Sequence, residues 1–480
     1  MAENSANTTL DQGTVMLTII TEANVLIKKK GLVIDISYSS DSSKFAFARS
    51  TVSRRDFGSF HSSNVQELLS LTEDLYQPPD IPIDLPKFDA DDRGAYGKDI
   101  KGKHFLLGDE YTFLNHGAFG SVLKEALDAV QAWQRYTEAQ PLKFLDRELF
   151  PQLVHVSRRL CNFIGCTPTD IALIENATTG TNAVLKSMKF SSSDTIYYLD
   201  CTYGAVKKLL KFISSENGCS LKEIKIPSFV ENQQQIIDLV RSTLSQECTF
   251  AVFDHIPSNF PIIMPIKEIV KVCKERNIPV FIDGAHALGS LPIKLSDIDA
   301  DFYVSNAHKW FCSAKGCAFL YIKRCWQNKI RSQTVSHGFG SGFNSEFIWT
   351  AASNMTVLDF WSLHNPDTIR KYIYGLVAEA SQMLATKWDT KLAASKDMFG
   401  SMCLIQLPEC ISKNLSQDNK VTYEQAEIVQ NVLYRDFKIE VPIKAHCNSL
   451  YVRISGHLYN DLSDYERLCD AVCTIAAKLS

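Results

Sequence analysis

Between Thr195 and Ile322, short apolar runs alternate with longer stretches of helical period, and this alternation restricts the fold more than any other feature of the chain. The runs are "TIYYLD" (195–200), "EIKIP" (223–227), "TFAVFDHI" (249–256), "PVFID" (279–283), "DFYVSN" (301–306) and "CAFLYI" (317–322). Most are continuously apolar, as strands buried on both faces must be. Helices are predicted at 204–215, 231–245 and 265–277. A strand followed by a helix crosses over before it pairs again, so its neighbours run parallel. The expected fold class is α/β, with a large, mostly parallel sheet covered by helices on both faces.

The flanks extend this picture. Upstream, "SVLKEALDAVQAWQRYTEA" places Val122, Leu123, Ala126, Ala129, Val130 and Trp133 on one helical face. Beyond Asn365 a long helix leads into strand 401–407, helix 422–435, strand 448–454 and helix 461–479, a smaller C-terminal α/β domain. At 480 residues, two lobes are the natural division. The large domain is expected at 103–360, with 103–140 bridging the lobes, and the small domain at 366–480. The first 95 residues differ in composition. "LIKKKGLVIDISYSSDSSKFAFARS" is rich in Ser, Lys and Arg, and the Pro/Asp-rich "YQPPDIPIDLPKFDADD" follows. Residues 1–95 are therefore expected to form a poorly ordered extension. Glu3, Asp11 and Glu22 count against a transit peptide, which favours the cytoplasm over mitochondrial import.

Charge and cysteine usage exclude other classes. A net charge of -4 gives no electrostatic reason to bind nucleic acid or an anionic membrane. No apolar run approaches the roughly 18 residues needed to span a bilayer. None of the 14 cysteines precedes Cys161 and none forms a C-x-x-C pair. The spacings Cys161/Cys166, Cys312/Cys317 and Cys469/Cys473 suit neither a zinc site nor a disulfide framework, so reduced thiols and no metal are expected.

In open α/β sheets, ligands collect at the carboxyl ends of the strands. Asp283 ends "PVFID", and "SNAHKW" ends the next strand. A lysine and an aspartate so placed suit pyridoxal 5'-phosphate (PLP). The amine condenses with the aldehyde as a Schiff base, and the carboxylate keeps the pyridine nitrogen protonated. The amine must be neutral to react, far from a free pKa of about 10.4. In "NATTGTNAVLKSM", Thr178, Thr179 and Gly180 open a helical run, where backbone N–H groups and the helix dipole favour a phosphate. An ordinary N-cap is the alternative reading of that stretch.

"DGAHALG" followed by "SNAHKW" resembles the class V aminotransferase family of fold-type I PLP enzymes. Within it, the chain resembles the isopenicillin N epimerase-like branch, which also holds cysteine desulfhydrases and hercynylcysteine sulfoxide lyases. The likeness runs from about Tyr111 to the C-terminus. It implies that Lys309 is the Schiff-base lysine and proton shuttle and that Asp283 pairs with the pyridine nitrogen. His286 would lie beside the ring hydroxyl, Asn306 and His308 would reach the phosphate, and Tyr203 would cover the ring. In "YTFLNHGAFG", Asn115 and Gly117 would close over the substrate. Arg453, in "YVRISGHLYND", would grip the α-carboxylate, with Arg147 next in line.

The resemblance also implies a homodimer with shared sites, in which Gly338 to Asn354 reaches the partner. There "FIWTAASNMT" carries Ala351 and Ala352 where the family has Gly-Thr, and Asn354 where it has Asp, so one phosphate hydrogen bond across the dimer is in doubt. The substrate implied is an amino acid. A C–S β-lyase of the desulfhydrase type, on cysteine or a cysteine conjugate, is the leading reaction. An epimerase or racemase, an aminotransferase and a PLP-binding protein with little turnover are the alternatives. Cys447 lies too close to Arg453 for a mobile persulfide loop and reads as structural.

Overall fold

The computed structural model describes residues 65–480, apart from 90–93, 95, 337, 341, 348–355, 417–419 and 480. The strands in chain order are β1 (Thr112–Phe113), β2 (Ile171–Ile174), β3 (Thr195–Leu199), β4 (Ser220–Ile224), β5 (Phe250–Asp254), β6 (Val280–Asp283), β7 (Phe302–Asn306) and β8 (Ala318–Ile322). They are followed by β9 (Met402–Gln406), β10 (Ile439–Glu440), β11 (Ile443–His446) and β12 (Ser449–Ser455).

Seven of them form one sheet in the order β2-β8-β7-β6-β5-β3-β4. Pairing is parallel from β4 through β3, β5 and β6 to β7. β8 runs antiparallel to both of its neighbours. The link 307–317 is occupied by the turn that carries Lys309 and contains no helix to return the chain over the sheet, so β8 comes straight back. β4 lies three residues upstream of its predicted place. It is the edge strand and half exposed, so apolar content is a poor guide to its register.

Helices Ala177–Ser187, Gly204–Asn217, Gln233–Thr243 and Ile266–Lys274 flank the sheet. Strand side chains fill its two faces, with Tyr197, Phe253, Ile282 and Tyr303 on one and Phe250, Phe281, Phe302 and Val304 on the other. The predicted upstream helix spans Lys124–Ala139; of its apolar face, Ala126 and Ala129 are buried.

β9, β11 and β12 form an antiparallel sheet in the order β11-β12-β9. It packs with helices Pro366–Trp388, Tyr423–Phe437 and Leu462–Leu479 around a second core that includes Leu384, Ile405, Leu433, Val452 and Leu468. β1 pairs with β10, and Leu114 belongs to this second core, whereas Leu123 belongs to the core of the large sheet.

The expected disorder of residues 1–95 is corrected for the part that can be described. Helix Val65–Ser70 buries Val65, Leu68 and Leu69 against Phe150 and Val154. Arg158, only 3% exposed, donates to the carbonyls of Leu71 at 2.7 Å and Leu69 at 3.3 Å, pairs with Glu73 and lies over the Tyr76 ring. It thereby satisfies carbonyls that the helix end leaves open. Six helical residues are too few for periodicity to reveal them. Residues 1–64 lie outside the described residues. Among the described residues, no helix is long and apolar enough to cross a membrane.

Candidate active site

Three neighbouring strands deliver side chains to one sheet edge: Asp254 ends β5, Asp283 ends β6 and Asn306 ends β7. The turn after β7 adds His308 and Lys309. The cavity there is lined by Thr178, Tyr203, Asp283, His286, Asn306, His308 and Lys309 among others, so seven of the predicted residues converge.

Lys309 Nζ lies 3.4 Å from His286 Nε2. Burial pushes the amine down to about 8 against the pull of Asp283, with Arg453 lowering it further. Asp283 accepts the Ala285 N–H at 2.9 Å, and burial raises its carboxyl. Its register partner Asp254 accepts the Tyr203 N–H at 3.2 Å, and its Oδ2 is buried without a hydrogen bond of normal geometry. Burial and the neighbouring Asp283 hold Asp254 well above the usual carboxylate range. Such a pair calls for a positive charge at this edge, and a protonated pyridine nitrogen supplies one. With the Lys309 amine and a helix N-terminus on the same cavity, the residues present fit PLP.

The phosphate end differs in detail from expectation. Helix Ala177–Ser187 is capped by Asn176, whose side chain accepts the Thr179 N–H at 2.9 Å. The Thr179 amide is thus already occupied. Gly180 turns away from the cavity; a Cβ there would come within 2.7 Å of Ile174 and 2.8 Å of Val304, so its role is close helix–sheet packing. Asn306 accepts the Ala177 N–H at 2.9 Å and anchors the helix start. His308 Nδ1 donates to the Cys317 carbonyl at 2.9 Å, and burial pushes the ring down to about 4. Its Nε2 can therefore donate to a phosphate only when the ring becomes cationic.

On the substrate side, Arg453 stands in the middle of β12 and is 2% exposed. Nη1 donates to the Ser258 carbonyl at 2.7 Å and hydroxyl at 3.0 Å, and Nη2 to Asn115 Oδ1 at 2.9 Å. Asn115 in turn donates to Glu440 at 3.0 Å. No carboxylate pairs with this guanidinium among the described residues, and burial pushes it down to about 10. A buried cation with only neutral partners is receptive to an anion.

Gly117 fits because a Cβ there would come within 2.6 Å of Met402 Sδ and 3.6 Å of Arg453 Nη2. Gly120 has φ +71°, and its Cβ would fall 2.2 Å from the His308 carbonyl. The segment therefore crosses the Lys309 backbone in direct contact. Arg147 is exposed and lines no part of the cavity.

Sequence reasoning missed Asp254, Asn176, Phe119 and His116. Asp254 ends an apolar run just as Asp283 does, so the same signal marked it. Phe119, 74% exposed, stands on the cavity lining. His116 is buried, with Nε2 2.9 Å from the Lys309 carbonyl and Nδ1 2.7 Å from the Tyr459 hydroxyl. It groups with Cys312 and His457 as metal ligands do, but both of its nitrogens are already committed.

Cys447 and Asn448 form the tip of the β11–β12 hairpin, where His446 pairs directly with Ser449. Their φ values are +46° and +60°, and burial raises the Cys447 thiol. No long loop separates this cysteine from its strands. Ala351, Ala352 and Asn354 lie outside the described residues.

The model of the family "Aminotransferase class-V" matches residues 124–351. A putative L-cysteine desulfhydrase 1 of Oryza sativa subsp. japonica is 32% identical over 408 residues, covering 76% of this chain and 83% of the relative. The isopenicillin N epimerase of Streptomyces clavuligerus is 25% identical over 394 residues, covering 76% and 95%. In three dimensions the chain is similar to the cystine C-S lyase C-DES in complex with cysteine persulfide. The TM-score is 0.62 at 19% identity, over 76% of this chain and 97% of that one. The chain belongs to the class-V aminotransferase family of fold-type I, pyridoxal 5'-phosphate-dependent enzymes.

Proposed function

We propose that this protein is a PLP-dependent C–S β-lyase acting on L-cysteine or a cysteine conjugate. The observation that carries the reading is the arrangement of Lys309 and Asp283 on one cavity, with the counter-ion-free Arg453 held against Ser258 of its lining. The L-cysteine desulfhydrase relative supports the choice of sulfur substrate.

When bound, PLP supplies an electron sink for bonds broken at the α carbon of an amino acid. Arg453 holds the α-carboxylate with two N–H groups, while Asn115 fixes the guanidinium. Lys309 Nζ, partly neutral near pH 8, takes the α-proton. Asp283 keeps positive charge on the ring nitrogen, and Tyr203 and Phe119 limit water at the mouth. Across the whole turnover, cysteine or its S-conjugate and one water would give pyruvate, ammonia and sulfide or the thiol, with the proton taken up by Lys309 available to the departing sulfur.

A homodimer in the cytoplasm completes the reading. Val335 and Phe339, 70% and 59% exposed, support a covered surface near the segment expected to reach the partner. Free thiols are at home in a reducing compartment.

The test is to supply L-cysteine and S-substituted cysteines to the PLP-loaded protein while measuring pyruvate, sulfide or thiol, other keto acids and optical rotation. Equal yields of pyruvate and sulfide or thiol are expected. Racemisation without sulfur release, or a keto acid that retains its sulfur, would replace the lyase reading with an epimerase or an aminotransferase.

A further inference from the structure

Lys309 lies between two histidines, and a neighbour fixes the proton on each. The Lys309 carbonyl can only accept, so His116 Nε2, 2.9 Å away, carries the proton. His116 Nδ1 then accepts from the Tyr459 hydroxyl at 2.7 Å. His286 follows the same reasoning. An indole N–H can only donate, and that of Trp310 meets His286 Nδ1 at 3.2 Å. Nδ1 must therefore be bare, which leaves the single ring proton on Nε2, the atom 3.4 Å from Lys309 Nζ. A cationic ring would set N–H against N–H at the indole, in a buried place already facing Lys309 and Arg453.

We propose that Trp310 is a positioning residue whose indole N–H locks His286 in the Nε2–H tautomer, so that a hydrogen-bond donor always faces the Lys309 nitrogen. A donor there complements a nitrogen lone pair and opposes an added proton. Without the lock, His286 can turn its bare nitrogen towards Lys309 and stabilise the protonated form. Other charges act on the same nitrogen: Asp283 from β6, with Asp254 beside it on β5, favours the proton, and Arg453 from β12 disfavours it. His116, from the segment His116–Phe119, meets Lys309 at its carbonyl and disfavours a cationic His286. Of these groups only His116 also packs on the indole, with ring centroids 4.9 Å apart, and Trp310→Phe keeps an aromatic ring in that place.

In the PLP-loaded protein, the pH at which the visible band changes reads the proton on the Lys309 nitrogen. Trp310→Phe should raise that midpoint by about one unit, a tenfold change in proton affinity. An unchanged or lowered midpoint in a folded Trp310→Phe protein overturns the proposal. Because Trp310 is 1% exposed, two His286 variants provide a second test. His286→Gln can accept the indole N–H on its amide oxygen while its NH2 faces Lys309, so its midpoint should stay near the original. His286→Leu should shift as Trp310→Phe does, and equal midpoints in the two His286 variants would refute the lock. Nitrogen-15 NMR of labelled histidine should find His286 with Nδ1 bare and Nε2 protonated at neutral pH; the opposite tautomer would also refute it. All three readouts are independent of which amino acid the enzyme consumes.

Discussion

Asp254 and Asp283 face each other as register partners at the ends of β5 and β6, both buried. A carboxyl whose folded pKa is raised stabilises the fold at low pH and loses that contribution as pH rises from the unfolded value towards the folded one. Cofactor-free protein should therefore lose thermal stability as pH rises above about 4, the ordinary carboxylate range. Asp254→Asn should flatten that slope and stabilise the cofactor-free form by roughly 1–3 kcal/mol at neutral pH. A melting series between pH 4 and 8 decides the matter, and parallel curves for the two proteins would mean that the pair is not strained.

Asp283→Asn acts differently. The phosphate end of the cavity is untouched, so PLP should be retained, but the ring nitrogen loses its anionic partner. Turnover should fall by about two orders of magnitude or more. Lys309→Ala should fall further. Borohydride treatment of the PLP-loaded wild type should leave the pyridoxyl group on Lys309, and a labelled peptide from elsewhere would move the site.

Lys309 at about 8 sets a pH profile for cofactor uptake. Only the neutral amine attacks the PLP aldehyde. The rate at which cofactor-free protein takes up PLP should therefore rise through about pH 8 and level off above it. An unperturbed lysine would keep gaining tenfold per unit to about 10.4. Stopped-flow uptake between pH 6.5 and 9.5 separates the two curves.

Arg453→Lys should raise KM for amino acids by about 10–150-fold, as losing a charge-assisted hydrogen bond worth 1.5–3 kcal/mol implies, and change kcat less. The lysine amine cannot grip two oxygens. If KM stays constant, the carboxylate is bound elsewhere.

How much of this was legible in the sequence depended on whether a signal was local. Asp283, His286 and Lys309 follow apolar runs, and strand-end logic placed them together. Asp254 carried the same signature but was overlooked inside the longer run 249–256. Gly180 shows another limit: a glycine that opens a helix can face a ligand or the sheet, and only the packing against Ile174 and Val304 reveals that its Cα side meets the sheet. Hydrogen-bond commitments such as Asn176 to Thr179 or Trp310 to His286 join atoms whose orientation periodicity does not encode. The antiparallel β8 follows from a link that contains no helix, a constraint hidden by the apolar character of the strand itself.

Arg158 carries the last prediction. It lies in helix Leu149–Ile164, buried, and draws its acceptors from the upstream segment through Leu68, Leu69, Leu71 and Glu73. The same segment reaches the sheet by a second route: Gln66 donates to Asn344, which donates to the Ile171 carbonyl at 2.6 Å. Removing the guanidinium should leave buried carbonyls unsatisfied and free the helix Val65–Ser70, a cost on the order of 3 kcal/mol. Arg158→Ala should therefore lower Tm by several degrees and speed proteolytic cleavage within residues 65–89 at least tenfold. The substituted side chain touches neither Lys309 nor Arg453, so KM for the amino acid should stay within about twofold. Cleavage no faster than in the wild type would mean that the apolar contacts of Val65, Leu68 and Leu69 hold the segment without help.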